Sequence, residues 1–449
     1  MVMGKGKPFT LGHGSEEALI TEGERESHFH ILGSTREGKS KLLEYLIRHD
    51  INRLTEGSGV GLCFIDASDR GDTINKILAY CAEIDFRKLI LIDPFRLRVN
   101  KKIACINPLT HNRSQIDEVL ESMQDCLRVL FGITNPAFTN NVERYGGHLF
   151  GVLARAEMTL VDGQFWTLLD DPDYSNRRDF IYDKLKGNED AWWNVSSLEE
   201  VFAKETRYRD FQSTIGRLST IYRSKELKYI FGHRNGLDFR KLIDHGYVVL
   251  VNVASLGTMQ SRLLATVVIN QILDAMERLR SGGNKKYNRP YYLYIDEAGE
   301  YATRKIAKVL DLKSKSGIRL TLAHQHMGQF EDQVIREAVE INAKIKASFY
   351  IPSSNRREDL VRMLNYGGDL KDRDVAYSLA TQKKQEMVLQ INKDAPRVVK
   401  VPDTPDATGD VEKFVAELFK SQNYYTVKEI EDDYADRFKG LSESHIKSF

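Results

Sequence analysis

Cysteine, net charge and long hydrophobic runs are all scarce in this 449-residue sequence. Its four cysteines form no C-x-x-C pair, which argues against a zinc site or a disulfide framework and favours a reducing compartment; they are Cys63, Cys81, Cys105 and Cys126. The 65 basic and 64 acidic side chains give a net charge of +1. A surface for nucleic acid would therefore have to be local.

The hydrophobic runs are too short to cross a membrane. The most apolar stretches, 246–256 and 263–273, fall far below the roughly 20 apolar residues that a spanning helix needs. The first residues, MVMGKGKPFTLGHG, lack the apolar segment of a signal peptide. We therefore expect a cytoplasmic protein without a membrane span of its own, which a partner could recruit to a membrane.

The most informative motif is a glycine-bounded loop between an apolar run and a helical pattern. FHIL (29–32) predicts a strand, GSTREGKS (33–40) has the form G-x-x-x-x-G-K-[ST], and KLLEYLIRHDI predicts a helix. In such a loop the lysine reaches the β- and γ-phosphates of a nucleotide and the serine hydroxyl ligates Mg²⁺. The alternative is a chance match in a flexible loop, which the flanking strand and helix disfavour. The predicted nucleotide-binding residues are Gly33, Ser34, Thr35, Arg36, Glu37, Gly38, Lys39 and Ser40.

Two further apolar runs have the pattern of buried parallel strands. Segments 59–72 and 88–94 each end in a turn that contains aspartate, and a helical pattern over 73–84 lies between them. This alternation of strand and helix predicts an α/β protein whose mainly parallel sheet is flanked by helices.

An adjacent pair of carboxylates follows a third strand pattern. Residues 291–295 predict a strand, and Asp296 and Glu297 stand at its carboxyl end, the edge of an open α/β sheet where ligands bind. We expect Asp296 to hold Mg²⁺ and Glu297 to polarise the attacking water. The alternative is that both merely cap the next helix. Gln325 ends a neighbouring strand pattern and could sense the γ-phosphate, or it could be an ordinary surface glutamine.

The order of these segments resembles the HerA/FtsK superfamily of P-loop ATPases, specifically the conjugative type IV secretion coupling proteins and their soluble relatives. The resemblance covers about residues 9 to 360 and includes FIDASDRGD (64–72), IDEAGEY (295–301) and KSKSGIRLTLAHQ (313–325). It implies a RecA-like core with an all-α insertion, ATP and Mg²⁺ as ligands, and a hexameric ring that moves DNA. Residues that match the family's functional positions are Lys39, Ser40, Asp296, Glu297, Gln325 and Asn342.

One position departs from the family. Many relatives carry an arginine that acts on a neighbouring subunit's nucleotide, and its place here falls on Ser314. Lys313 or Lys315 could substitute, although an ammonium lacks the forked geometry of a guanidinium. Arg217, Arg223 and Arg304 are further candidates.

The chain is expected to divide into four segments: 1–109 and 236–400 for the nucleotide-binding core, 110–235 for a helical insertion, and 401–449 for a linker with two C-terminal helices. Residues 382–401 predict an edge strand pair of the core. Trp192 and Trp193 could stack on a base, but packing within the insertion is the favoured interpretation. The basic run 205–228 suits either phosphate contacts or a solvated helix face.

The favoured function is a Mg²⁺-dependent ring motor that translocates DNA without reading its sequence, as in conjugative coupling. One alternative is DNA processing or defence with a separate nuclease. Another is a nucleotide-gated adaptor that recruits cargo and hydrolyses little. A secretion channel, a relaxase or a nuclease is the expected kind of protein partner.

Overall fold

The computed structural model describes residues 8–110, 115–131, 136–168, 171–203, 211–212, 214–216, 218–219, 222–281, 287–364, 372–439 and 441. The chain divides into two units. The core unit comprises Met1–Leu89, Arg240–Ala254 and Ala275–Phe414, and the helical unit comprises Ile90–Phe239, Ser255–Asp274 and Val415–Phe449. The four segments expected from the sequence remain a prediction.

A mixed sheet organises the core unit. Its parallel strands are β3 (Phe29–Leu32), β4 (Leu62–Asp66), β7 (Val248–Asn252), β8 (Tyr291–Ile295), β9 (Ile318–His324) and β10 (Ile345–Ser348). Every residue of these six strands is buried, as expected for strands covered on both faces. They lie in the order β10-β3-β9-β8-β4-β7, which places β9 and β8 between the strand of the phosphate loop and β4.

Antiparallel strands extend the sheet beyond β10. Strands β11 (Glu386–Ile391) and β12 (Arg397–Lys400) pair with each other, and β11 pairs with β10. The prediction that this pair forms the edge is wrong, because β12 pairs with β1 (Phe9–His13), which pairs with β2 (Glu17–Ile20). The strands of this N-terminal hairpin have only five and four residues, which is too short for a clear strand pattern in the sequence.

Helices of the core unit cover the sheet; they are Lys39–Thr55, Asp72–Glu83, Ala298–Tyr301, Arg304–Leu312, Gln333–Asn342, Ser354–Leu364 and Asp372–Thr381. The predicted linker, 402–410, has no regular structure but is fixed on the first two of these helices. Arg48 donates to the Pro405 carbonyl oxygen at 2.7 Å, and the Thr408 N–H donates to Glu83 at 2.8 Å. It is therefore a packed connection on the core unit.

In the helical unit the described residues from 115 to 235 form helices and turns without a strand, as expected. The helices are Pro94–Asn100, Ile116–Phe131, Pro136–Arg155, Pro172–Lys184, Glu189–Ala203, Lys225–Phe231 and Val427–Arg437. Short strands β6 (Lys102–Ile103) and β13 (Tyr425–Thr426) pair with each other. Strand β5 (Leu89–Ile92) and the helices Phe239–Asp244, Thr258–Ser281 and Val411–Leu418 cross the division between the units.

The last helix, Val427–Arg437, packs within its own unit around buried arginines. Arg437 is fully buried and lies 3.2 Å from Asp162, and it donates to the Gly232 carbonyl oxygen at 2.9 Å. The second of the two predicted C-terminal helices thus packs within its own unit. Among the described residues no helix is long and apolar enough to span a bilayer.

Candidate nucleotide site

The phosphate loop joins β3 to the helix Lys39–Thr55 at the carboxyl edge of the sheet. Gly38 has a φ of 134°, and a Cβ there would lie 2.7 Å from the Phe349 ring, so only glycine fits. Lys39 is buried, and its Nζ donates to the Gly33 carbonyl oxygen at 2.6 Å. The loop therefore holds a buried ammonium directly against its own backbone, where a phosphate could replace the carbonyl as partner.

The predicted acids face this loop from β8. Asp296 and Glu297 follow the strand immediately, and Asp296 is only 5% exposed. The two oxygens of Glu297 accept hydrogen bonds from Nε2 of Gln325 and Nε2 of Gln329, both at 3.0 Å. Gln325 therefore lies beside the acids as predicted. Gln329, which no sequence pattern indicated, donates to the second oxygen of the same carboxylate.

Charges inside the cavity are only partly balanced. Burial, together with the nearby carboxylates of Asp66 and Glu297, raises the pKa of Asp296 to about 7, against the opposing effect of Lys39. Burial also lowers the pKa of Lys39, although Glu297 and Asp296 act in the other direction. Both shifts disfavour the charged forms. An anion beside Lys39 and a cation beside Asp296 would reverse them, which is what a Mg²⁺-nucleotide supplies.

The surrounding cavity has a volume of about 830 Å³. Three exposed cations that line it, Arg36, Arg70 and Lys384, have no hydrogen-bond or ion-pair partner among the described residues. Arg70 follows β4, and Lys384 precedes β11. Neither was selected from the sequence, because a basic residue in a turn is common and only the sheet order brings these turns together.

Backbone strain is also concentrated at this cavity. Of nine described non-glycine residues with positive φ, four line it, namely Arg36, Arg70, Glu297 and Gln385. Each such residue costs of the order of 1 kcal/mol and persists only where the surrounding structure imposes it. The Gln385 N–H donates to the Glu37 carbonyl oxygen at 2.8 Å, which ties the phosphate loop to the start of β11.

Donor types at the site fit a Mg²⁺-nucleotide. The phosphate loop, with Lys39, offers N–H groups and an ammonium to phosphate oxygens. The Ser40 hydroxyl and the Asp296 carboxylate line the same cavity and are hard oxygen ligands of the kind that Mg²⁺ takes. Glu297 has both oxygens fixed and could orient a water.

Other predicted residues lie away from the cavity. Asn342 donates to Asp311 at 2.8 Å on the protein surface, and Arg304 is ion-paired with Asp332 at 2.7 Å. Arg223 lines a separate cavity of the helical unit. Arg217, most of the run 204–221, and the side chains of Lys313 and Ser314 lie outside the described residues.

The prediction that the tryptophan pair packs within the helical segment is wrong. Trp192 and Trp193 are 66% and 63% exposed, on the helix Glu189–Ala203. A helical pattern alone does not show which face of a helix is covered, so the burial of two adjacent aromatics could not be settled from sequence.

No family model matches the chain, and no curated protein matches it in sequence. Solved structures do match. The unbound form of the bacterial conjugative coupling protein TrwBdeltaN70 is 14% identical with a TM-score of 0.64, and the match covers 87% of this chain and 89% of that chain. TrwB in complex with ADP and Mg²⁺ is 15% identical with a TM-score of 0.63, covering 91% and 96%. VirB4 of Thermoanaerobacter pseudethanolicus is 14% identical with a TM-score of 0.51, covering 89% and 97%.

The chain has the RecA-like P-loop ATPase fold of TrwB. This confirms the predicted fold class and the resemblance on which it was based. The match extends over almost the whole of both chains, so it includes the helical unit as well as the core. At these identities the likeness concerns the fold, and the chemistry must be argued from the cavity itself.

Proposed function

We propose that the protein is a Mg²⁺-dependent ATPase. The observation that carries this proposal is the convergence on one cavity of the phosphate loop, the Asp296–Glu297 pair and Gln325. Each group comes from a different parallel strand, and all stand at the carboxyl edge of the sheet. The structures of TrwB with ADP and Mg²⁺ and with a non-hydrolysable ATP analogue support the same ligands for this fold.

In this proposal different residues of the chain bind the phosphates, hold the metal ion and orient the attacking water. Residues 33–40 cradle the phosphates, with Lys39 moving from the Gly33 carbonyl oxygen to a phosphate oxygen. Ser40 and Asp296 would hold Mg²⁺, which would offset negative charge on the phosphate oxygens. Glu297 accepts a hydrogen bond from the attacking water and so orients it in line with the γ-phosphate. Gln325 positions Glu297 and can also report, through a neutral hydrogen bond, whether the γ-phosphate is present.

The biological work proposed for this hydrolysis is DNA translocation by a ring, with six subunits expected, in conjugative coupling or a related DNA-pumping process. The fold shared with TrwB and VirB4 supports it. Contacts to the phosphate backbone would make the motor insensitive to sequence and sensitive to salt. We place it in the cytoplasm, with a secretion channel, relaxase or nuclease as the partner that gives it its task.

Steady-state ATP hydrolysis with linear duplex DNA, with single-stranded DNA and without DNA tests the proposal. We expect stimulation by DNA that falls with salt and is lost in both Lys39→Ala and Glu297→Gln. Tight ATP binding without turnover under any of these conditions would contradict the motor and favour the nucleotide-gated adaptor. The adaptor is supported by Ser314, which stands where many relatives carry an arginine that acts on a neighbouring subunit's nucleotide. Co-purification of a nuclease would favour DNA processing or defence.

A further inference from the structure

An arginine of the core unit lies at the proposed nucleotide site. Arg70 lines the cavity together with Lys39, Asp296 and Glu297, and its guanidinium makes no ion pair or hydrogen bond with any residue that the structure describes. We propose that Arg70 contacts the γ-phosphate of ATP bound by the same chain. This inference rests on the proposed ATPase function and names a residue that supplies positive charge to it.

The loop that carries Arg70 is held in one conformation. The Asp66 carboxylate, at the end of β4, accepts hydrogen bonds from the N–H groups of Ser68 and Ile74, both at 2.8 Å. The next turn packs so closely that a Cβ on Gly71 would lie 2.6 Å from the Asn252 side chain. Arg70 itself has a left-handed backbone, with φ 54° and ψ 20°. A loop fixed this tightly presents its arginine in a defined place.

Sheet order decides which end of the nucleotide Arg70 faces. Strand β3 leads into the phosphate loop, β9 ends at Gln325, β8 ends at the two acids, and β4 ends at the Arg70 loop, in that order across the sheet. Arg70 therefore approaches from the side of Glu297, where the water and the γ-phosphate belong. Lys384 approaches from the opposite side, because β11 lies beyond β10.

Charge at the loop favours Arg70 over its alternatives. Two carboxylates near Arg70, those of Asp69 and Asp72, also line the cavity. Asp72 is paired with Lys76 at 2.5 Å. Arg304, which the sequence analysis considered as an arginine that could act on a nucleotide, is ion-paired with Asp332. Arg36 belongs to the phosphate loop and would accompany any nucleotide, whether diphosphate or triphosphate. Among the residues that the structure describes, Arg70 is thus the unpaired guanidinium on the side of the reacting phosphate.

This placement offers a reason why serine is tolerated at position 314. A guanidinium from the same chain can stabilise the charge that develops on the transferred phosphoryl group, as an arginine in cis does in some other nucleotide hydrolases. Its five donors in a planar fork suit phosphate oxygens, whereas an ammonium offers a single point of charge. An arginine from a neighbouring subunit is then not required for this contact.

The test compares Arg70→Ala and Arg70→Lys with wild type and with Arg87→Ala, an exposed arginine of the same unit that is ion-paired with Asp85 outside the cavity. Affinities for mant-ADP and mant-ATPγS with Mg²⁺ and the kcat for ATP are measured on the full chain. We expect Arg70→Ala to lower kcat by roughly 100-fold or more and to weaken mant-ATPγS by about ten-fold. It should leave mant-ADP within about twofold, and Arg70→Lys should recover only part of the loss.

Retained kcat and retained preference for the triphosphate in Arg70→Ala would overturn the inference while leaving the ATPase intact. Equal weakening of both nucleotides would overturn it too, since Arg70 would then not distinguish the γ-phosphate. Failure of wild type to bind either nucleotide would overturn the proposed function, and the inference with it.

Mixing Lys39→Ala with Arg70→Ala tests whether the arginine acts within its own chain. The first variant keeps Arg70 but cannot hold nucleotide, and the second holds nucleotide but lacks the arginine. Assemblies that contain both chains, isolated through two different tags, should stay inactive. Recovered turnover would show that Arg70 acts on a neighbour and would contradict the inference.

Discussion

Arg437 and Arg177 of the helical unit have an environment opposite to that of Arg70 in the core unit. In the helical unit Arg437 is fully buried between Asp162, Asp433 and the Gly232 carbonyl oxygen, and Arg177 lies 5.1 Å above the Phe165 ring. In the core unit Arg70 is exposed at a concave cavity and has no partner among the described residues.

The difference separates a structural cation from one that is available to a ligand. The donors of a buried guanidinium must be satisfied by groups inside the protein, so a buried arginine stabilises the packing of helices. An unpaired one at a cavity keeps its donors for an anion that arrives later. The comparison predicts that changes in the helical unit affect stability and changes at the cavity affect chemistry, with little crossover.

The largest effect should come from Glu297→Gln, which keeps the shape but removes the group that orients water. We expect kcat to fall by roughly 1,000-fold while affinity for ATP and the melting temperature stay close to wild type. Phosphate release and nucleotide titration measure the first two quantities. Glu331→Gln, at an exposed carboxylate outside the cavity, is the matched control. A loss of affinity equal to the loss of kcat would mean that Glu297 serves binding instead.

Arg437→Met should have the next largest effect, on stability. It leaves the fully buried Asp162 carboxylate without the cation that lies 3.2 Å away, which costs about 3–5 kcal/mol. Asp433 keeps Arg234 as an ion-pair partner at 2.8 Å. Denaturant unfolding followed by fluorescence of the helical unit's tryptophans measures this loss, with Lys439→Met at an exposed site as control. Nucleotide affinity of the folded protein should not change. A loss of affinity without a loss of stability would break the division between the units.

His28 gives the core unit a smaller, pH-dependent contribution. Burial, with Arg319 nearby, lowers the pKa of His28 to about 4, and its Nδ1 accepts a hydrogen bond from the Leu320 N–H at 3.2 Å. Because the unfolded chain binds the proton more readily, this stability is complete above about pH 6.5 and is lost as pH falls towards 4. The loss is on the order of 3 kcal/mol.

Urea unfolding between pH 7 and pH 4 measures the slope for wild type, for His28→Gln and for His245→Gln, an exposed histidine of the same unit. We expect the first variant to show a flatter decline and the second to follow wild type. Identical slopes for all three proteins would rule out His28 as a source of acid sensitivity.

The smallest effect should come from Gln329→Ala. It removes the hydrogen bond to the second oxygen of Glu297, so that Gln325 is the side-chain donor left to the carboxylate among the described residues. Loss of a group that orients a catalytic residue typically costs roughly ten-fold or more in activity. We expect kcat to fall about ten-fold with KM unchanged. Gln333→Ala, whose side chain bonds Glu337 on the surface, is the control, and an unchanged kcat would show that Gln325 suffices.

Sequence alone placed the parts of the site that local pattern determines. Residues 29–32 and 291–295 are strands with the predicted bounds, and the acids and Gln325 stand at the predicted strand ends. A buried parallel strand is a continuous apolar run, and a phosphate loop has fixed spacing, so both are visible in one dimension.

Contacts that depend on the order of strands in the sheet could not be predicted from the sequence. Lys384 and Gln385 reach the cavity because an antiparallel hairpin follows β10, and Gln329 reaches Glu297 through a short turn after β9. Arg70 stands in the turn DRGD, whose sequence indicates a turn at the glycine but not that the arginine lies at the cavity. The exposure of Trp192 depends on which helix face is covered, which helical spacing does not tell.

Magnesium-dependent phosphate release from ATP by the purified chain, compared with Lys39→Ala, tests the central claim most directly. We expect turnover that requires Mg²⁺ and falls to background in the variant, while the melting temperature without nucleotide stays near that of wild type. Turnover that persists in Lys39→Ala would contradict the claim, because the reaction would then occur at a site other than this cavity.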